Sequence, residues 1–288
     1  MVDEDSSLED RRWHWREAVP LRWLLVDEPV MGGPDAAIAV CADIDGLFTD
    51  SPLSVRETTL LGCLPHPPLS RALDALAKGA GNPGGALHRR AIDAFLYSVD
   101  RNGVADRLVD SQLRASVTGV RPSVLAAGLV DVTLDSAISE TMPSSARTIW
   151  DLWHAGGPTE SGLWAGCDRE LRHHWLGAAL AHHRADVRDK PAGRTYELDG
   201  RHITDVEGFY CAIGEAVNGP GGYFGWNGAA LHACVTGRWG AEWPFRLIWR
   251  DAEVARTHLV AGAGPGGPAT FDEILQWLAE DQIEVELR

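Results

Sequence analysis

GGYFGWNGAALHACVTG, residues 221–237, decides how the last part of this chain folds. It begins as a glycine-rich loop with two adjacent rings, Tyr223 and Phe224, and passes into a run with helical spacing. Asn227 stands where an N-cap is expected, since its side chain can accept a bond from an orphan N–H of the first turn. Gly228 follows, and it weakens a helix by roughly 0.5–1 kcal/mol relative to Ala.

The flanks extend the same pattern in both directions. Upstream, TYELDGRHI reads as a strand with an Asp-Gly turn, and DVEGFYCAIGEAV as a helix with Val206, Phe209, Ile213 and Val217 on one face. Downstream, FRLIWR and IEVEL read as short apolar strands, DAEVARTHL and FDEILQWLAE as helices. Short apolar strands alternating with helices predict a small parallel α/β sheet.

Several residues in this order resemble the barstar family, the intracellular inhibitors of barnase-type ribonucleases. They are Leu198-Asp199-Gly200, Gly222-Tyr223-Phe224-Gly225-Trp226-Asn227, Ala230-Leu231, Cys234, Thr236-Gly237 and Leu247-Ile248-Trp249-Arg250. The resemblance covers the last third, read as a domain over 191–288, and implies a three-stranded parallel sheet. It also implies that the aromatic loop and the helix after it form a surface that plugs a ribonuclease active site. In the family that helix presents two aspartates to the basic phosphate-binding pocket; the matching positions here are Ala229 and Ala233. A third family acid falls near Leu275 or Gln276, with Glu273 and Glu280 close by. The implied contact surface is Tyr223, Phe224, Trp226, Asn227, Ala229, His232, Ala233 and Glu273, without the acids on the helix that mimic phosphates. The expected role is non-enzymatic: a protein that binds a protein partner, possibly a basic ribonuclease, as an inhibitor or an immunity or antitoxin-like partner. An interaction or scaffold module without nuclease inhibition is the alternative.

Residues 1–143 read as a β-rich domain that resembles no family. PLRWLLVDE, AAIAVCADI, ETTLLGC, AIDAFLYSVD, DRLVDSQLRASV and GLVDVTLD are strands between turn-forming pieces, and LSRALDALAKG is a helix. By exclusion, its role is to support or extend the binding surface. Residues 144–190 read as a helical connector, with helices in SSARTIWDLWHAG and CDRELRHHWLGAALAHHRA, serines as their N-caps, and RADVRDKPAG as a linker. Trp150, Trp153, Trp164 and Trp175 are expected to form a core joining the two parts. The fold class is thus α+β in the large, a β-rich domain followed by a connector and a small α/β domain.

One stretch invites an enzyme reading. AVCADIDGLFTDS, residues 39–51, resembles the opening of haloacid dehalogenase-type phosphatases, with Asp43 as nucleophile and Asp45 as acid/base. That chemistry also needs a lysine, for which Lys78 is the candidate, and acids for Mg²⁺, for which Asp106 and Asp110 are candidates. Only about 35 residues separate Asp43 from Lys78, little room for the βαβ units of such a fold. A strand ending in an Asp-x-Asp-Gly turn is the favoured reading, with no catalytic residue and no cofactor.

Composition bounds the partners. A formal charge of −15 on 288 residues argues against nucleic acid or an anionic membrane, both of which reward a basic face. No run is long and apolar enough to span a bilayer, and MVDEDSSLED is acidic where a signal peptide is basic then apolar, so the expected location is the cytoplasm. Cys41, Cys63, Cys167, Cys211 and Cys234 are odd in number and form no C-x-x-C pair, and are expected as buried free thiols. His173-His174 and His182-His183 lie on one predicted helix. His174 and His182 are eight residues apart, more than 10 Å at 1.5 Å per residue, too far for one ion.

Overall fold

The computed structural model describes residues 22–26, 37–50, 55–66, 69–77, 91–100, 105–138, 142–184, 187–237, 239–260 and 269–288. The chain divides into two compact units, Met1–Gly156 and Gly157–Arg288.

The first unit is built on β1 (Trp23–Val26), β2 (Ala37–Cys41), β3 (Asp43–Asp45), β4 (Val55–Pro65), β5 (Ala91–Val99), β6 (Ala105–Pro122) and β7 (Val130–Ile138), with helix α1 (Leu69–Ala77). All pairings are antiparallel, in the order β2-β1-β5-β6-β7-β4-β3. A further pairing of β2 with β4 closes six strands into a barrel. Alternation sets which side chains face in: Ile92, Ala94, Leu96 and Ser98 of β5 are buried, as are Leu113, Ala115 and Val117 of β6. Closing the barrel pairs the strand edges that an open sheet would expose. The antiparallel pairing overturns the phosphatase reading, which needs a parallel, doubly wound sheet. Asp43 and Asp45 lie on β3; the Asp43 carboxylate is paired with Arg147 and accepts a bond from its neighbour's amide, Ile44 N, at 2.8 Å. Asp106 and Asp110 lie on β6, and Lys78 is outside the described residues.

Helix α2 (Arg147–His154) belongs to this unit, preceded by a 3-10 turn at Ser144–Ala146. The serines do not cap it. Its N-cap is Ala146, with no side-chain bond, while Ser144 donates its amide and hydroxyl to Asp50 at 2.9 and 2.5 Å. Those two bonds hold the Asp50 carboxyl below the usual carboxylate range. Trp150 packs on Trp23, ring centroids 5.9 Å apart, and Trp153 is buried.

The second unit contains a 3-10 turn at Leu163–Gly166, α3 (Arg169–Ala181), β8 (Thr195–Asp199), α4 (Val206–Asn218), α5 (Gly228–Thr236), β9 (Arg246–Arg250), α6 (Ala252–His258), α7 (Phe271–Glu280) and β10 (Glu284–Leu287). Its sheet has the order β10-β9-β8 with both pairings parallel: a small parallel α/β sheet, as the alternation of strands and helices predicts, with the three strands that the resemblance implies. Trp164 and Trp175 are buried here, while Trp150 and Trp153 belong to the first unit. Asp168 caps α3, accepting from Leu171 N at 2.9 Å. Arg172 ties α3 to the start of α4: buried, it donates to Asp205 at 2.8 Å and Thr204 at 2.9 Å. Asp205 in turn caps α4, accepting from Gly208 N at 2.7 Å. The stretch read as a linker near residue 190 is bonded into the unit, with Lys190 Nζ donating to Val217 O at 2.6 Å and Gly240 N to Asp189 at 2.7 Å. No helix among the described residues is long and apolar enough to cross a membrane. The five cysteines are free thiols, four buried and Cys167 half-buried.

Candidate protein-binding site

The loop before α5 is set by close approaches that only glycine permits. A Cβ on Gly214 of α4 would lie 2.1 Å from Gly222 O, so helix and loop touch backbone to backbone. Gly225 has φ +105°, in the region that favours glycine, and a Cβ there would meet Leu231 at 2.9 Å. Two polar side chains of α4 hold the loop in place. Asn218 donates to Tyr223 O and Trp239 O, both at 2.8 Å, clamping the segments on either side of α5. The Glu215 carboxylate accepts from Gly162 N at 2.8 Å, Trp164 Nε1 at 3.1 Å and Gly221 N at 3.2 Å. Burial pushes the Glu215 carboxyl above its usual range, against the pull of those three donors.

The rings of the loop point in different directions. Tyr223 and Phe224 are buried, Tyr223 against Trp239 at 5.5 Å and Phe224 against Phe245 at 6.0 Å. Both were expected on a contact surface; their side chains instead pack the loop onto the core. Trp226 is half-buried and lies parallel to the His173 ring, centroids 5.9 Å apart and planes 9° apart. Asn227 caps α5, accepting from Ala230 N at 2.8 Å, and remains exposed. Ala229, His232 and Ala233 are exposed on α5, while Leu231, Cys234 and Val235 form its buried side.

Helix α7 packs against α5, and an open cleft of about 560 Å³ lies between them. Its lining is Asn227, Gly228, Ala229 and His232 from the α5 side and Trp277, Glu280 and Asp281 from the α7 side. Gly228 faces the Trp277 indole; a Cβ there would sit 3.4 Å from the ring. The absent side chain leaves room at this wall, a packing reason for a residue that weakens the helix start. His232 Nδ1 lies 2.5 Å from Asp281 Oδ1, and Trp243 Nε1 donates to Asp281 O at 2.7 Å, with Trp243 itself exposed.

Four of the expected contact residues, Asn227, Ala229, His232 and the neighbouring Ala233, are thus on one exposed face, three of them lining the cleft. Glu273 is not brought to it. Its carboxylate closes a capping box, accepting from Thr270 N at 2.7 Å while Glu273 N donates to Thr270 Oγ1 at 3.2 Å. That backbone bond, with the hydroxyl's, holds the Glu273 carboxyl below its usual range. The acids that do line the cleft, Glu280 and Asp281, lie seven and eight residues further on, at the other end of the helix. The signal was present in the sequence. Thr270-x-x-Glu273 is a capping-box pattern, which commits Glu273, and Trp277 and Glu280 follow it at helical spacing.

Of the two histidine pairs only His173-His174 lies on α3, which ends at Ala181, with His182 and His183 following it. His183 stacks on Trp239 at 4.6 Å, His182 Nδ1 lies 2.8 Å from Ala178 O, and burial, with His173 beside it, pushes His174 down to about 4. Among the described residues, no three His, Cys, Asp or Glu side chains form a group that could hold a metal ion.

No curated protein matches the chain. Residues 193–286, from the edge of β8 into β10, match the barstar family, barnase inhibitor, and this third of the chain is a barstar-like domain.

Proposed function

We propose that the second unit is a protein-binding module of the barstar kind, that its contact surface is the α5–α7 face, and that its partner is a basic protein. A barnase-type ribonuclease is the partner class to test first. The observation that carries this reading is the open cleft between α5 and α7, with exposed Asn227, Ala229 and His232 on one wall and Glu280 on the other. The family match over 193–286 supports it, and so does the net charge of −15, which favours encounter with a basic partner. The role is non-enzymatic: the unit binds, and any effect on the partner follows from occupying its surface.

The two alanines set the expected strength. Where the resemblance implies aspartates, Ala229 and Ala233 present only methyl groups. Losing one partner of a buried interfacial charge pair costs about 2–5 kcal/mol. Binding to a barnase-type enzyme is therefore expected several orders of magnitude below that of an inhibitor with both acids. Calorimetric titration of the full chain with a purified barnase-type ribonuclease, alongside an RNA-cleavage assay, tests the reading. Saturable binding with a Kd in the micromolar range, together with inhibition at matching concentrations, is the expected result. No binding at ~100 μM chain and unchanged cleavage sink the nuclease partner.

A further inference from the structure

The seam between β2 and β4, which closes the barrel, sets two cysteines opposite each other. On one side of them Ala39 pairs with Pro65 and Val40 with Leu64; on the other, Asp43 of β3 pairs with Leu61 in the same register. Cys41 therefore stands across from Cys63, with both side chains on one face of the ladder. The backbone bonds identify the kind of pair. Ile38 O accepts from His66 N at 2.8 Å, so Ile38 turns its polar groups toward β4. Cys41 O accepts from Arg22 N at 3.2 Å, so Cys41 turns its own toward β1. Residues of an antiparallel strand alternate in this way, which makes Cys41–Cys63 a pair with no ladder bond between its members. Such pairs bring their Cα atoms to about 4.5 Å. A disulfide spans Cα separations of about 4.4–6.8 Å, so this pair can be bridged without moving the strands apart.

In the closed barrel both thiols are sealed from water. Burial, with Cys63 and Asp43 nearby, pushes the Cys41 thiol far up, and burial, with Asp131 nearby, pushes Cys63 up to about 12. The thiolate is the reactive form, so the pair stays reduced while the seam is shut. The ladder is irregular at this point. Gly62, beside Cys63, has φ +58°, and the register of β4 against β7 shifts between Leu60 and Cys63.

We propose that Cys41 and Cys63 are a redox-sensitive staple: under oxidising conditions a disulfide between them locks the seam that closes the barrel. Parting of β2 from β4 exposes the two thiols together, and the oxidant is a low-molecular-weight disulfide. One cysteine, as its thiolate, attacks a sulfur of that molecule, forms a mixed disulfide and releases one small thiol. The other cysteine, as its thiolate, then attacks the protein sulfur of the mixed disulfide. The Sγ–Sγ bond forms, the mixed bond breaks and the second small thiol leaves. The protons of the two cysteines end on the two released thiols, and two electrons pass from the pair to the small disulfide. Once the strands close again, the bond holds β2 to β4, and the same exchange with a small thiol reverses it. The staple belongs to the first unit and is independent of the partner-binding reading of the second.

The test incubates the full chain with excess oxidised glutathione, in buffer and in urea below the unfolding midpoint. Remaining thiols are then alkylated and cross-linked peptides mapped by mass spectrometry. A Cys41–Cys63 link is the expected product among the five cysteines. The linked chain should melt on the order of 10 °C above the same chain after reduction, because the bond restricts the unfolded state. Cys41→Ala and Cys63→Ala should each lose this oxidation-dependent rise. The peptide map of the unaltered chain decides the pairing even if either variant folds poorly. No Cys41–Cys63 link in either condition overturns the proposal, as does a different cysteine pairing as the main product. A linked chain that melts no higher than the reduced one overturns it as well.

Discussion

Two withdrawn carboxylates, one in each unit, behave in opposite ways. Asp131 of the barrel is 4% exposed at its side chain and accepts from Gly62 N at 3.0 Å and Arg121 Nε at 3.2 Å. Burial raises its carboxyl, but the bonds from Gly62, Ser123 and Arg121 outweigh that and bring it below the usual range. Glu215 of the second unit has three donors, none of them a cation, and there burial wins. The lesson is that burial and donors compete at each carboxylate: at Asp131 the Gly62 amide, the Ser123 hydroxyl and Arg121 together outweigh burial, and at Glu215 three donors do not. In the first unit Asp43, Asp50 and Asp131 are spent on internal partners. On the α5–α7 face, Glu280 and Asp281 line an open cleft, Asp281 beside the exposed His232 ring and Glu280 accepting from Gln276. Acids of the first kind build a fold, and those of the second kind leave a surface ready for a basic partner.

The largest expected effect restores charge to that surface. Ala229→Asp with Ala233→Asp should tighten binding to a barnase-type ribonuclease by about 2 kcal/mol for each acid, a combined factor of roughly several hundred. A calorimetric titration of the double variant beside the wild type measures it, and no gain would show that α5 is not the contact helix. Next comes the loop that positions the helix. Gly214→Ala forces a Cβ to 2.1 Å from Gly222 O, and should cost about 3 kcal/mol. A fall in Tm on the order of 10 °C is the readout; an unchanged Tm would mean that α4 and the loop do not approach as described.

The carboxylate pair gives a pH test with opposite signs. The depressed carboxyl of Asp131 contributes stability above the usual aspartate range and loses it as pH falls through the lowered value. Glu215, with its raised carboxyl, contributes most below the usual glutamate range and loses that contribution as pH rises through the raised value. Denaturant unfolding against pH should therefore lose part of its acid-side decline in Asp131→Asn. Glu215→Gln should lose part of the decline toward neutral pH. Parallel curves for both variants would contradict the contrast. The smallest effect is at Glu273, where Glu273→Ala removes half of a capping box and should cost at most about 1 kcal/mol, with partner binding unchanged.

Much of the architecture was legible in local pattern. The alternation in AIDAFLYSVD and in DRLVDSQLRASV marks strands, and the helical spacing of Phe209, Ile213 and Val217 marks α4. Barrel closure was not legible, because the pairing of β2 with β4 joins segments whose partnership no local signal records. At the site, Asn227 was legible as an N-cap, and Ala229 and Ala233 were placed by the resemblance to the barstar family. The burial of Tyr223 and Phe224 came instead from the turn at Gly225 and the contact between Gly214 and Gly222, which are three-dimensional facts. Glu280 and Asp281 were passed over in favour of Glu273 because proximity in sequence outweighed the capping pattern at Thr270.

The account rests on the α5–α7 face being where a partner binds. Hydrogen–deuterium exchange on the full chain, with and without a saturating barnase-type ribonuclease, tests this most directly. Protection is expected over 227–234 and 276–282, with the barrel strands unchanged. Protection confined to the barrel, or equal exchange over both helices in the presence of bound enzyme, would contradict it.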